Sequence, residues 1–450
     1  NMSEGSLEAP IRHPIPWRQA DFYHPAKLDE ELRRVFDICH GCRRGFNLCD
    51  TFPRLFDLID DSKSGELDTV DSRGFKPVID ACTLCDMCFM TKCPYVPPHE
   101  FNVDFPHLML RARAQEFKNG KVSFPEKQMT KTDRNGRIGC SVSGLVNWAC
   151  KCSNKVTRPV MEAAAGIHRD AKLPAFASKT LTDRAKAASP EINTDAPGFG
   201  RKAVLYAPCF GNYNNPAIGE AAIKVLAKNG VETQIVHPRC CGMPQLEHGD
   251  IEAVAESAKA TAGDLGVWID KGYDVIALVP SCALMLKFDW PLIVPGDEAV
   301  ALLSRSTSDL SQYLVGIAKN EGLADGLNPL DSGVTVHIAC HARAQNMGHK
   351  AAEMLRLLPK TEISVIERCS GHGGTWGVMK DNFEVGIKIG KPVARDVAKR
   401  NLRHMVSECP LARDHILQGV ERLGEKSAAI AAHISAAQHP IELIAKAYGL

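Results

Sequence analysis

From residue 201 onward, short continuous hydrophobic runs alternate with longer segments that have helical spacing. Runs such as Ala203–Ala207 and Asp274–Val279 predict buried strands of a parallel sheet. The segments Pro216–Lys228 and about 250–271 predict amphipathic helices between them. Further strands are predicted at Thr233–Val236, Val334–Ala339, Ile363–Ile366 and His404–Val406. This alternation is typical of α/β domains.

The first 200 residues lack this alternation. Leu28, Leu32 and Val35 follow helical spacing, and similar short patterns recur up to residue 118. The pattern predicts short helices with loops, then a helical connector around Leu145 to Ile167 and a linker rich in Pro and Gly from Lys172 to Lys202. We therefore expect five parts: an N-terminal arm over 1–25, a helical domain over 26–118, a connector and linker over 119–200, and α/β domains over 201–330 and 331–450.

The seventeen cysteines are the unusual feature of the composition. One run reads Cys82-x2-Cys85-x2-Cys88-x4-Cys93-Pro94, which is the spacing of thiolates around a cubane iron–sulfur cluster. A second run lies just upstream. Two such runs in one domain predict two clusters, because the last cysteine of each run ligates the cluster of the other. The expected ligand sets are Cys49, Cys82, Cys85 and Cys88 for one cluster, and Cys39, Cys42 and Cys93 for the other.

The upstream run is incomplete, because Gly45 stands where its third cysteine is expected. Three interpretations follow. The site could hold a [3Fe-4S] cluster on three thiolates, or a [4Fe-4S] cluster whose fourth iron takes solvent or an outside ligand such as His40 or Asp50. It could also be labile or empty. Thiolates in a preformed loop bind metal strongly, which favours three protein ligands.

The two α/β segments repeat one cysteine pattern. The positions of corresponding cysteines differ by 131, 129 and 127 residues, which indicates an internal duplication. The first copy carries Cys209, the Cys240-Cys241-Gly242 turn and Cys282, all at predicted strand ends. Open α/β sheets place their sites at such ends, so we expect a further metal site here, most simply an iron–sulfur cluster.

The second copy is altered. It has three cysteines, Cys340, Cys369 and Cys409, with His341 and His372 close by in the sequence. Three cysteines and one histidine would complete a tetrahedral zinc site, and an iron–sulfur cluster with a non-cysteine ligand or a structural relic are the alternatives. His372 could instead serve as a proton donor near the first site.

Other features of the sequence argue against several classes of protein. The formal net charge of +1 gives no indication of a surface that binds nucleic acid. There is no nucleotide-binding glycine motif and no apolar run long enough to span a membrane. Cysteines with metal-type spacing favour a reducing compartment over a disulfide framework. Asn1-Met2 is interpreted as an expression remnant. We expect a cytoplasmic protein, either free or bound peripherally at the inner face of the membrane.

At Cys82–Pro94, Cys240-Cys241-Gly242 and Pro280-Ser281-Cys282 the chain resembles a known family. Its members are iron–sulfur proteins with a two-cluster ferredoxin domain followed by two Cys-Cys-Gly domains. Examples are heterodisulfide reductase catalytic subunits, the C subunit of anaerobic glycerol-3-phosphate dehydrogenase and the A subunit of lactate-utilisation complexes. The resemblance covers about residues 30–450. It implies an α+β multidomain fold with an N-terminal α-helical ferredoxin domain and duplicated α/β domains.

The resemblance also implies a function. Electrons would come from a flavoprotein or ferredoxin-type donor, pass through the ferredoxin clusters to the Cys-Cys-Gly sites, and leave to a quinone, a thiol or disulfide, or a protein such as a diiron peroxide scavenger. The implied ligands are Cys209, Cys240, Cys241 and Cys282 in the first copy, and Cys340, Cys369 and Cys409 in the second. Disulfide reduction at Cys241 is a further option.

The chain departs from the family pattern at four positions: Gly45, Met285, Ser370 and Ala412 stand where cysteines are expected. These losses argue against full disulfide-reductase chemistry and favour an electron relay. A redox sensor or iron–sulfur scaffold without turnover is the alternative.

Overall fold

Two parallel sheets form the second half of the chain in this computed structural model, which describes residues 8–187 and 189–450. The strand orders are β2-β1-β3-β4 and β6-β5-β7, so the second sheet repeats the first three strands of the first. The strands are β1 Lys202–Tyr206, β2 Glu232–Val236, β3 Asp274–Ala277, β4 Thr307–Asp309, β5 Val334–His337, β6 Ile363–Ile366 and β7 His404–Ser407. The predicted α/β class is confirmed. The observed ends of the predicted strands differ from the expected ones by at most two residues, and only the polar strand β4 is new.

Helices cover both faces of each sheet, and the alternation of side chains along a strand explains how. Val204 and Tyr206 of β1 pack into one apolar core, whereas Ala203 and Leu205 pack into another on the opposite face. The second core also contains Val336 of the second sheet, so the two α/β domains share one apolar core. The helices of this half are α10 Cys209–Tyr213, α11 Pro216–Lys228, α12 Met243–Glu247, α13 Ile251–Ile269, α14 Pro280–Leu284, α15 Trp290–Ile293, α16 Glu298–Ser306, α17 Leu310–Asn320, α18 Cys340–Arg343, α19 Lys350–Leu355, α20 Phe383–Arg400, α21 Pro410–Glu421, α22 Glu425–His433 and α23 Pro440–Tyr448.

The N-terminal domain is helical, as predicted. Its helices are α1 Pro25–Cys42, α2 Thr51–Asp60, α3 Lys76–Ala81 and α4 Phe105–Lys118. The apolar face of α1, with Leu28, Leu32 and Val35, is buried against this domain. Aromatic rings fill the centre, where Phe36 lies 5.0 Å from Phe75 and 6.0 Å from Phe105 between ring centroids. The upstream cysteine run begins in the last turn of α1, and the second run follows the end of α3.

The described part of the predicted arm crosses between domains. The Ile11 amide donates to the Pro97 carbonyl at 2.9 Å, and the Ile15 amide donates to Leu292 of the first α/β domain at 2.9 Å. The Trp17 indole also donates to a carbonyl of that domain, at 2.7 Å. Residues 1–7, including Asn1-Met2, lie outside the described residues. The arm therefore links the helical domain to the first α/β domain.

The connector contains α5 Phe124–Met129, α6 Thr132–Ser141, α7 Ser143–Cys150, α8 Thr157–Ala165 and α9 Leu181–Ala187. The expected helix around Leu145 to Ile167 is thus two helices with a break between them, and the segment predicted as a linker contains α9. No helix within residues 8–187 and 189–450 combines the length and the apolar character that crossing a membrane requires.

Candidate metal centres

The first α/β domain brings its four predicted cysteines together at one edge of its sheet. Cys209 opens α10 just after β1, the Cys240-Cys241 pair follows β2, and Cys282 lies on α14 after β3. Because the strands are parallel, their carboxyl ends meet at the same edge. The thiols lie next to one another in the order Cys209, Cys240, Cys241 and Cys282, with 3.4 Å between the last two sulfur atoms.

Glycine is required in the Cys-Cys-Gly turn. Gly242 has a φ of 87°, in the left-handed region that side chains disfavour, and a Cβ there would lie 3.2 Å from Val254. Its amide donates to the Cys240 sulfur at 3.4 Å. The turn therefore directs two adjacent thiols toward one centre.

Three side chains that sequence reasoning missed complete this site. The Asp133 carboxylate accepts a hydrogen bond from the Cys240 amide at 2.7 Å and interacts with His237 Nε2 at 2.6 Å. The neighbouring Thr132 hydroxyl lies 3.3 Å from the Cys209 sulfur. Asp133, Cys209 and His237 have ligand atoms within 4.8 Å of one another. His237 lies just after β2, where the strand-end rule could have found it, whereas Asp133 and Thr132 come from the connector and carry no sequence signal.

The charge of Asp133 is balanced locally. Burial lowers the pKa of His237, but the hydrogen bond and charge of Asp133 outweigh burial, so the net shift is upward. Burial raises the pKa of Asp133, and its contact with His237 reverses that shift to a net lowering. The two groups thus form an ion pair beside the thiols.

In the helical domain the cysteines gather in two sets. Cys49 lies close to Cys82 and Cys85, and Cys88 lies close to all three. Cys39 lies close to Cys42 and Cys93. Burial, followed by the neighbouring thiols, raises the pKa of Cys49 and of Cys88. Burial also raises the pKa of Cys82 to about 11. The crosswise grouping matches the expected ligand sets, whose metal binding stays a prediction.

The position of the missing cysteine is filled by an aromatic ring. A Cβ on Gly45 would lie 2.9 Å from the ring of buried Phe52. The two outside ligands considered for this site have other partners, because His40 Nε2 lies 2.8 Å from Asp60 and Asp50 pairs with Arg54. The Cys39, Cys42 and Cys93 set therefore has three thiols, and the Phe52 ring lies against the position where a fourth is expected.

The second α/β domain places Cys340 close to Cys369 and Cys409. A thiol from the ferredoxin set completes this group, because the Cys85 and Cys340 side chains pack against the same apolar cluster and their thiols interact. This interaction is the main reason that the pKa of Cys85 falls to about 7. Burial raises the pKa of both Cys369 and Cys409 to about 11. Two predicted metal sites thus touch at the domain boundary.

The two histidines of this copy have other neighbours. His341 Nδ1 lies 2.9 Å from the Ser281 hydroxyl, and the ring also bonds the backbone at Leu84. The ring of His372 faces His415 at 5.8 Å between centroids, and its Nε2 is buried without a hydrogen-bond partner. Burial lowers the pKa of His372 to about 3, which makes the ring neutral at physiological pH. Roles for either histidine in zinc binding or proton transfer stay predictions.

One arginine anchors the ferredoxin loop to the first α/β domain. Arg113 donates to the carbonyls of Ile79 and Cys82 and, at 2.9 Å, to that of Glu247 at the end of α12. The Cys82–Cys88 loop therefore lies between the two α/β domains and contacts both.

The connector cysteines stand apart from these sets. Cys140 donates to the Tyr213 carbonyl at 3.4 Å, and Cys152 donates to the Asp170 carbonyl at 3.6 Å. Cys150 is half-buried near Arg158 and Cys152.

The donor chemistry of the gathered sets fits bound metal. No disulfide forms among the cysteines, all of which lie in the described part of the chain. Buried thiols packed side by side resist ionisation, and a bound cation removes that penalty while it holds them as thiolates. Sulfur ligands of this kind select iron–sulfur clusters or zinc.

Comparison with known proteins identifies the two sheet domains. The model of the cysteine-rich domain family matches residues 203–287 and again 334–411, which are the two copies of the duplication. Both α/β domains are therefore cysteine-rich domains of this family, and the chain is similar to iron–sulfur proteins that carry such domains.

Three relatives show the range of this family. The C subunit of the anaerobic glycerol-3-phosphate dehydrogenase of Escherichia coli is 26% identical over 351 residues, covering 77% of this chain and 82% of the relative. The B subunit of the fumarate reductase (CoM/CoB) of Methanothermobacter marburgensis is 27% identical over 232 residues, 50% of this chain and 43% of the relative. Lactate utilization protein A of Bacillus cytotoxicus is 26% identical over 187 residues, 39% of this chain and 74% of the relative. The predicted resemblance is confirmed, and the two cysteine-rich domains together with these relatives support the presence of iron–sulfur clusters.

Proposed function

We propose that the protein is an electron-transfer component of an oxidoreductase. It would accept electrons from a flavoprotein or ferredoxin-type donor at its two ferredoxin clusters, pass them to the cysteine-rich domains, and deliver them to a protein, quinone or disulfide acceptor. Iron–sulfur clusters held by the gathered thiolates would supply the one-electron chemistry. A cytoplasmic location, where thiols stay reduced, is part of the proposal.

The observation that carries the proposal is the contact between Cys85 and Cys340. These residues belong to different predicted metal sites, yet they pack against the same apolar cluster and their thiols interact. A storage or purely structural site gains nothing from such contact, whereas electron transfer requires short distances between centres. The contact supports an order in which the second cysteine-rich domain follows the Cys85 set.

The protein's own residues would hold this path rigid. Arg113 ties the carbonyl of Cys82 to the first cysteine-rich domain, and Ser281 of that domain holds the His341 ring beside Cys340. Arg12 pairs with Asp86, next to Cys85, at 2.7 Å. These contacts fix the loop between the two cysteine-rich domains.

Rapid-freeze electron paramagnetic resonance tests the proposal. The anaerobic protein is mixed with a reduced ferredoxin, and the order in which signals appear is recorded. We expect the ferredoxin-domain signals first and signals from the cysteine-rich domains second. Cys340→Ser should leave the ferredoxin-domain signals unchanged and abolish or delay the signals from the cysteine-rich domains. Cys152→Ser changes an exposed thiol outside the cysteine sets and should behave as wild type. Reduction that stops in the ferredoxin domain of the wild type would overturn the relay and favour a sensor or scaffold.

A further inference from the structure

Helix α7 is apolar, yet none of its residues is buried. Leu145 and Trp148 expose 66% and 55% of their surfaces. A helix in a globular protein normally turns its apolar stripe toward a core. Large apolar side chains that cluster on a surface mark a binding site for a partner or a membrane.

The exposed apolar side chains continue beyond α7. Ile138 lies near the end of α6, Val142 lies at the turn between α6 and α7, and Leu145 and Trp148 lie one turn apart on α7. Further exposed apolar side chains lie on the neighbouring helices α5 and α8 and in the loop before α8. We call this set the connector face: Phe124, Ile138, Val142, Leu145, Trp148, Val156 and Val160.

The charges around the connector face have one sign. Every exposed charged side chain between residues 121 and 160 is a cation: Lys121, Lys131, Arg137, Lys151 and Lys155. The two acidic residues of this stretch before α8 are occupied, since Glu126 caps α5 and Asp133 contacts the first metal site. The whole chain has a net charge of only +1, so this concentration of positive charge is local.

We propose that the connector face docks on a lipid bilayer that contains anionic lipids. Exposed Trp, Phe and Leu side chains with Lys and Arg at the border are the composition of helices that lie in the membrane interface. The apolar side chains would enter the boundary of the acyl chains, and the cations would meet anionic headgroups. A second copy of the chain is a poorer occupant, because it would bring two cationic borders together.

The first observation to make is vesicle flotation with the full, metal-loaded chain. Vesicles of phosphatidylglycerol and phosphatidylcholine in equal parts are compared with phosphatidylcholine alone. We expect binding to the anionic vesicles that weakens as salt is raised. Lys151→Gln with Lys155→Gln should weaken partitioning by about fivefold for each cation removed. Leu145→Ser with Trp148→Ser should weaken it by about tenfold or more, given the apolar area lost.

Matched controls lie elsewhere on the surface. Val267→Ser changes an exposed valine of α13, and Lys63→Gln with Lys426→Gln removes two exposed cations far along the chain from the connector face. These variants should bind as wild type. Iron content must be the same in all proteins compared, which excludes misfolding as the cause of a loss.

Three outcomes would overturn the proposal. One is that the wild type fails to bind anionic vesicles. Another is that connector-face and control variants bind equally. The third is that Leu145→Ser with Trp148→Ser changes the mass measured by light scattering while vesicle binding is absent, which would make the face a contact between copies. Absence of binding with unchanged mass would instead point to an acidic protein as the occupant.

Discussion

The ring of Phe52 occupies the space that a side chain at residue 45 would need. A Cβ on Gly45 would lie 2.9 Å from three atoms of this ring, which is buried in the core of the helical domain. The missing cysteine and the neighbouring phenylalanine therefore form one feature. The site of Cys39, Cys42 and Cys93 lacks a fourth thiol and also the room for one.

This relationship predicts what happens when a cysteine is introduced at residue 45. Gly45→Cys alone should destabilise the protein by about 1–3 kcal/mol, because the new side chain overpacks the core. It should leave the cluster on three protein ligands. Gly45→Cys with Phe52→Ala should accommodate the thiol and convert a three-iron signal to that of a four-iron cluster in electron paramagnetic resonance.

Phe52→Ala alone is the control, since it creates space without adding a ligand. If Gly45→Cys alone added iron with unchanged stability, Phe52 would not close this site.

Asp133 should control metal retention in the first cysteine-rich domain. It bonds both the Cys240 amide and His237, as partners of metal ligands do. Asp133→Asn removes the charge that balances His237, so we expect metal affinity at this site to fall by about 10–100-fold. Iron released to a chelator over time measures the change. Asp195→Asn, at an exposed carboxylate, should release iron as wild type does, and equal release from both variants would refute this role.

Acid should destabilise the protein partly through His439. Burial lowers the pKa of this histidine to about 3, while its unfolded value is near the ordinary 6.5. The unfolded state therefore binds the proton more readily. The stability that comes from the neutral ring is complete above pH 6.5 and is lost as pH falls toward 3, by at most about 1.4 kcal/mol per pH unit.

The test is urea unfolding between pH 7 and pH 4 for the wild type and His439→Asn. Asparagine can still cap α23, which His439 caps through the Ile441 amide at 3.1 Å, but it does not titrate. We expect the variant to lose less stability on acidification. A parallel loss in both proteins would show that His439 does not contribute.

Arg12 should be important for attachment of the N-terminal arm. Its guanidinium pairs with Asp86 at 2.7 Å and with Asp104 at 2.9 Å, and all three groups are largely buried. Arg12→Met leaves two carboxylates without their cation, which costs about 3–5 kcal/mol for a buried pair. Thermal unfolding should show a lower Tm, whereas Arg18→Gln, at an exposed arginine of the same arm, should change little. Equal Tm values for the two variants would contradict this account.

The features of the fold and the sites that could be predicted from the sequence are those that depend on short-range patterns. Strand ends place Cys209, Cys240 and Cys282 together because parallel strands share one edge, and this follows from alternation alone. The crosswise grouping of Cys49 with the Cys82 run follows from ligand spacing. Gly242 could be assigned to a tight turn because only glycine tolerates its conformation.

What the sequence could not show depends on how separate domains dock. The contact of Cys85 with Cys340 joins residues 255 positions apart and has no local pattern. Asp133 reaches the first metal site from a connector helix that carries no motif. The short polar strand β4 lacks the hydrophobic run that marks the other strands. The exposure of Trp148 is a tertiary property, because an apolar stripe by itself predicts burial.

The most direct test of the electron relay is anaerobic iron, sulfide and zinc analysis joined to electron paramagnetic resonance of the reduced protein. The relay predicts iron beyond the roughly eight atoms that two ferredoxin clusters can hold. It also predicts that the signal of the Cys49, Cys82, Cys85 and Cys88 cluster is broadened by a neighbouring centre, and that Cys369→Ser removes this broadening. Iron confined to the ferredoxin domain, with zinc at Cys340, Cys369 and Cys409, would contradict the relay and make the second cysteine-rich domain structural.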